Sequence, residues 1–236
     1  MKSKIMLVLT LLVLISCNNK ELDLSKIDFN QKASIYLDDL NVYKKEEQKG
    51  HYVLDYQNDE VSLGLRDDGE RVVKYTFMEE KNTNQLNYSG LRVNDVMGVS
   101  ISVYDEKISF MRIHVKNTQT LDFFDVLKKK LGNPTEILIK DGVNFDDKNI
   151  SQKMLIEKMP NQAKKYKDEV LEQFYFSYPE HFIWVDSDII YQLTLVPVGN
   201  YISNSLVVIS KKALKDKVIF GFHNPNEDPI LSKYLN

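Results

Sequence analysis

Short runs of β-branched and aromatic residues, each closed by a turn-forming group, recur along this chain and constrain its fold more than any other feature. Residues 51–56 end at Asn58-Asp59, residues 61–65 end at Asp67-Asp68-Gly69, and residues 71–78 follow. Residues 97–104 and 108–115 flank Asp105-Glu106-Lys107. Later, residues 174–178, 181–185 and 189–196 are separated by Pro179-Glu180 and Asp186-Ser187-Asp188. An Asp-Gly pair between two such runs is a hairpin signal, because Gly accepts the positive φ that a tight turn requires. Strict alternation supports the same reading. Val99, Ile101 and Val103 share one face of a strand, while Ser100, Ser102 and Tyr104 share the other, as in a half-buried antiparallel meander. The continuously apolar residues 206–209 predict a central strand, and 218–222 a further one.

Helical periodicity is rarer. It is clearest at residues 118–131, where Thr118 or Thr120 can cap the start, Leu121, Phe124, Leu127 and Leu131 form a stripe, and Gly132 with Pro134 stops the helix. Lys128 to Lys130 place positive charge at the negative end of its dipole. A short helix is expected within 27–40. A strand is expected at 135–140, then a polar loop at 141–149 that would divide two lobes if there were two. A helical stretch starts at Ile150 and is interrupted at Pro160; its second part carries Ala163, Tyr166, Val170 and Phe174 at helical spacing. The expectation is therefore an α+β fold: one domain over 27–236, an antiparallel sheet of hairpins packed against two or three helices, notably 118–131 and 163–174.

The stability of that fold must come from packing, because Cys17 is the only cysteine and no disulfide can form within the chain. What surrounds Cys17 is distinctive. Lys2 and Lys4 precede a run from Ile5 to Ile15 that is apolar except for Thr10, and the run is too short to span a bilayer before Asn18, Asn19, Lys20 and Glu21. The run ends in Leu14-Ile15-Ser16-Cys17. This order resembles the lipobox of bacterial lipoproteins, with Leu14, Ser16 and Cys17 matching it position by position. The resemblance covers residues 1–17 only. It implies that residues 1–16 are a signal peptide, that the Cys17 thiol carries a diacylglyceryl group, and that 17–26 is a polar tether holding the body to a membrane of the bacterial cell envelope. Surface-directed members of that family often carry acidic residues just after the Cys; Glu21 and Asp23 are a partial match, so the outer membrane is the expected location. An acylated Cys17 leaves no free thiol, which removes thiol hydrolases, thiolate zinc sites and redox dithiols.

Chemistry-bearing patterns in the body are sparse. A formal net charge of −3, a pI near 5.9 and the lack of any cluster of five or more basic residues argue against nucleic acid as partner. His51, His114, His181 and His223 are far apart, and none has the helical spacing that presents two imidazoles to one zinc. His181 with Asp186 and Asp188 is the best metal constellation, although Asp-Ser-Asp between two strands is also what a turn uses. Gly98-Val99-Ser100-Ile101-Ser102 comes nearest to a nucleophile elbow but lies in a strand pattern. No glycine-rich phosphate loop is present, and no cofactor is expected. The aromatic residues Phe174, Tyr175, Phe176, Tyr178, Phe182 and Trp184 build either core or an exposed platform; alternation favours core, with Tyr178 and Trp184 as the ligand-binding candidates if it is a platform. The expected function is that of a non-enzymatic envelope lipoprotein that binds a protein or glycan partner. An immunity or inhibitor lipoprotein is a second possibility, marked by a compact acidic patch. A hydrolase is a third, and it needs a His gathered with carboxylates.

Overall fold

A computed structural model describes residues 21–57, 60–216 and 233, with side chains among them outside 48–70. The chain runs β1 (Leu22–Asp23), a 3-10 turn (Leu24–Lys26), α1 (Ser34–Leu37), β2 (Lys44–Gln57), β3 (Glu60–Phe77), α2 (Glu80–Thr83), β4 (Leu86–Tyr88) and β5 (Leu91–Arg92). It continues through β6 (Val99–Tyr104), β7 (Lys107–Ile113), α3 (Thr120–Leu131), β8 (Glu136–Asn144), α4 (Ile150–Lys158) and β9 (Lys164–Lys167). The last described elements are β10 (Phe174–Val185), β11 (Ile189–Val198), β12 (Tyr201–Ser210) and α5 (Lys211–Lys215). Nine strands form one sheet in the order β2-β3-β6-β7-β12-β11-β10-β8, with β9 also on β10, and every pairing in it is antiparallel. A small sheet, β1-β4-β5, stands apart. The chain is thus α+β in content but mostly β. Cys17, His223 and the strand expected at 218–222 lie outside the described residues, as does the side chain of His51.

Several turn-forming groups are used differently from what their composition predicts. Asp105-Glu106 is a true two-residue hairpin loop, with both residues at positive φ (53° and 59°), and Lys107 already belongs to the strand, opposite Tyr104. Asp186-Ser187-Asp188 also turns a hairpin, between β10 and β11. Asp67-Asp68-Gly69 does not end a strand. The register there jumps from Lys49 opposite Arg71 to His51 opposite Arg66, so the group is looped out as an irregularity inside the long strand β3. Pro179-Glu180 likewise sits within β10, where register shifts flank Tyr178 and Pro179 opposite β8. A proline lacks the N–H that a regular ladder needs, and an irregularity is where a strand tolerates it.

The helical reading of 163–174 is overturned. Residues 164–167 pair with β10 as a strand, and Val170 of the supposed apolar stripe is 90% exposed. A stripe that buries nothing gains nothing from helix, whereas pairing satisfies the backbone along β10. The polar stretch 141–149 is strand as far as Asn144. Leu22 and Leu24 lie inside the stretch that composition assigns to the tether, yet Leu22 pairs opposite Leu86 and Leu24 is buried.

The main core lies between one face of the sheet and α1, α3 and α4, where Ile101, Ile113, Phe123, Leu127, Leu155, Phe176, Phe182 and Leu193 are all fully buried. On α3 the centre of burial is Phe123 and Leu127; Leu121, Phe124 and Leu131 pack at its margin. Thr120 opens this helix without capping its N–H groups; its hydroxyl donates instead to the Ile202 carbonyl at 2.7 Å. A second cluster, with Val72, Tyr104, Phe110, Ile183, Ile190 and Ile209, occupies the opposite face under Ala213 and Leu214 of α5. The sheet is therefore covered on both sides along its centre, which explains why β12 reads as continuously apolar.

Asn204 ties these layers together. Its Oδ1 accepts from Val115 N at 2.9 Å, and its Nδ2 donates to Val115 O at 3.1 Å and to Thr120 Oγ1 at 2.8 Å. His114 Nδ1 donates to the Asn204 carbonyl at 2.6 Å, and burial, aided by the nearby Arg112 charge, holds the His114 pKa below its ordinary value. Asn204→Ala should destabilise the protein by about 2 kcal/mol, because it leaves the buried Val115 amide without a partner. Denaturant unfolding checks this; a loss under about 0.5 kcal/mol would show that solvent replaces the amide.

Candidate interaction surfaces

Both aromatic platform candidates are core. Trp184 is 3% exposed, stacks on Phe182 with ring centroids 6.3 Å apart, and donates its indole N–H to the Gly132 carbonyl at 3.0 Å. Tyr178 is buried against Phe176, centroids 5.2 Å apart and nearly parallel, and burial pushes its hydroxyl pKa up to about 12. The metal candidates do not converge. His181 lies mid-strand opposite Thr194, its Nδ1 3.0 Å from Thr194 Oγ1 and its Nε2 3.6 Å from Glu180. Asp186 and Asp188 belong to the turn five and seven residues along, and Asp186 is about 16 Å away at strand spacing. There Asp186 caps Ser187 N, and Ser187 Oγ bonds Asp188. Among the described residues no three His, Cys, Asp or Glu side chains gather as a metal group.

One exposed aromatic and apolar surface lies at β9 and the start of β10. Lys165 Nζ sits 4.1 Å from the Phe145 ring centroid and 4.2 Å from that of Phe174, while Tyr166 stacks on Tyr175 at 6.0 Å. Between the strands, Asp168 Oδ1 accepts from both Val170 N and Leu171 N, and Asp168 N donates to Gln173 O. This cap holds the turn with Val170 90%, Leu171 58% and Phe174 47% exposed. Such side chains, desolvated by a partner, are what protein interfaces are built from. Periodicity conceals the surface, because Val170 and Phe174 at i and i+4 imitate a buried stripe.

A second feature is a cleft of ≈ 340 Å³ between the small sheet and the adjoining loops, lined by Glu21, Glu80, Asp95, Arg92 and Lys116 among others. Its carboxylates are interleaved with two cations and do not form a compact acidic patch. Asp23, beside it, is committed to the fold. Burial raises its pKa, but hydrogen bonds from Ser89 N and from Ser25 outweigh that and leave it below the usual carboxylate value. Glu21, the first described residue, accepts from Asn87 Nδ2 at 2.8 Å.

Next to the cleft, residues 94–98 make a tight loop that reading 97–104 as a strand misses; β6 begins at Val99. Asn94 Oδ1 accepts from Val96 N and Met97 N, both at 2.9 Å, and Gly98 N donates to Asn94 O. Val96 is 71% and Met97 58% exposed. The signal available in sequence is an apolar pair set between turn-formers, Asn94-Asp95 and Gly98. Comparison with known proteins finds no matching family model, no matching curated protein and no matching solved structure.

Proposed function

We propose that this chain is a lipid-anchored protein of the bacterial envelope, held in the outer membrane through Cys17, whose body works by binding a protein partner. The observation that carries the reading is the order of a basic start, a short apolar run and Leu14-Ile15-Ser16-Cys17. No described helix is long and apolar enough to cross a membrane. Binding rather than catalysis is supported by the capped β9–β10 turn, which holds Val170, Leu171 and Phe174 in solvent. A protein is favoured over a glycan because the lone indole, the preferred stacking surface for a sugar, is buried.

Cells fed a labelled fatty acid test the anchor, and a photoreactive residue at Val170 tests the surface in the same strain. Wild type should take up label and Cys17→Ala should take up none. The Val170 probe should form one discrete protein adduct that is lost in Leu171→Asp. Label persisting in Cys17→Ala removes the anchor; a diffuse adduct pattern unchanged by Leu171→Asp removes the binding surface.

A further inference from the structure

Taken with the lipid anchor proposed above, on which this inference rests, the geometry around Glu21 orients the body on its membrane. Only four peptide units separate Cys17 from Glu21, a reach of at most about 14 Å when fully extended. A diacylglyceryl group on Cys17 would be seated in the bilayer, so Glu21 would lie within that distance of the lipid headgroups. Glu21 and Asp95 line the same cleft, and Val96 and Met97 follow Asp95 directly.

We propose that the 94–98 loop is the membrane-facing tip of the body, with Val96 and Met97 entering the interfacial layer of the bilayer that holds the lipid. The loop is built to keep these two side chains in place. Asn94 N is bonded to His114 O, Asp95 O accepts from Glu79 N, and the Asn94 side chain closes the turn over Val96 and Met97. Apolar side chains on a rigid loop lose little conformational freedom on insertion, and their transfer from water to the acyl boundary is favourable. The cleft behind them suits a zwitterionic headgroup: Arg92 and Lys116 match a phosphate, while Glu21, Glu80 and Asp95 match an ammonium.

The fold supplies an internal control. Ile35, 57% exposed, lies two residues beyond Ala33, whose N–H bonds Glu106 O at the hairpin that follows β6. The 94–98 loop precedes β6, so the two sites stand at opposite ends of a six-residue strand, about 20 Å apart. If Cys17 is acylated, an introduced cysteine is the only free thiol, and Met97→Cys and Ile35→Cys can each be labelled alone with an environment-sensitive fluorophore.

The test uses the full-length protein, purified after export and reconstituted in vesicles of phosphatidylethanolamine and phosphatidylglycerol, with fatty-acid label measured on the same samples. The label at position 97 should shift to the blue and be quenched severalfold more by spin-labelled lipid than the label at position 35. Equal, water-like emission at both positions in acylated protein overturns the orientation while leaving the anchor standing. Absence of acylation overturns both. Strong lipid quenching at 35 with none at 97 would show the body seated the other way up.

Discussion

Replacing Trp184 with Ala is expected to destabilise the protein by about 3–5 kcal/mol, a large part of a typical domain's whole stability. Three losses add up at this position. The indole is 3% exposed, so its removal opens a cavity against Phe182, which is itself fully buried and in contact with Phe124 at 4.5 Å between centroids. Its N–H holds the carbonyl of Gly132, the residue at φ 82° that ends α3. The strand pair also weakens, since Trp184 stands opposite Tyr191 where β10 meets β11. As the chain's only tryptophan, it reports on itself: emission should be blue-shifted and resistant to aqueous quenchers in the native state and turn red on unfolding. Red native emission, or a W184A variant that melts with the wild type, would contradict the burial.

That burial is legible from alternation alone, because Phe182 and Trp184 fall on one face while Ile183 and Val185 fall on the other. The structure places the first pair in the main core and Ile183 in the cluster beneath α5, with Val185 at the 36% exposed margin near the turn. Hairpins closed by Asp105-Glu106 and Asp186-Ser187-Asp188 are legible for a similar reason: the turn chemistry and the register needed to bury one face agree. Asp67-Asp68-Gly69 and Pro179-Glu180 carry equally strong turn chemistry, but each lies inside a strand. Pairing on both sides of the irregularity continues the ladder, and composition holds no record of where a partner strand resumes.

Helix 163–174 fails on a different count. Ala163, Tyr166, Val170 and Phe174 recur at helical intervals, yet only Ala163 is buried. Periodicity measures spacing and presumes burial, so an exposed apolar surface at the same spacing gives the same signal. The surfaces proposed to act are hidden by this ambiguity: Val170 and Phe174 imitate a helix stripe, and Met97 imitates the first residue of a strand. Cys17 is different in kind. Its motif is read from sequence order and needs no fold, and the proposed lipid anchor rests on that order alone.

Gly98→Ala should cost about 2–4 kcal/mol. At φ 65° the residue occupies the left-handed region, which alone costs an L side chain about 1 kcal/mol. The larger part is steric. A Cβ built on Gly98 falls 2.0 Å from the Phe77 carbonyl oxygen and 3.0 Å from Met78 Cγ; the side chain can rotate away, but the carbonyl belongs to the end of β3. Phe77 is fully buried and pairs opposite Val99, so moving its carbonyl disturbs the last rung of the β3–β6 ladder and a core aromatic together. Gly90 separates the two contributions, because it too has positive φ (83°), but a methyl group there would meet nothing within 4 Å. Gly90→Ala should therefore cost only about 1 kcal/mol. Denaturant unfolding of the two variants decides the matter: G98A should lose at least twice the stability of G90A. Equal losses would show that β3 yields freely at Phe77, in which case the 94–98 loop is not held firmly enough to present Val96 and Met97 to a membrane.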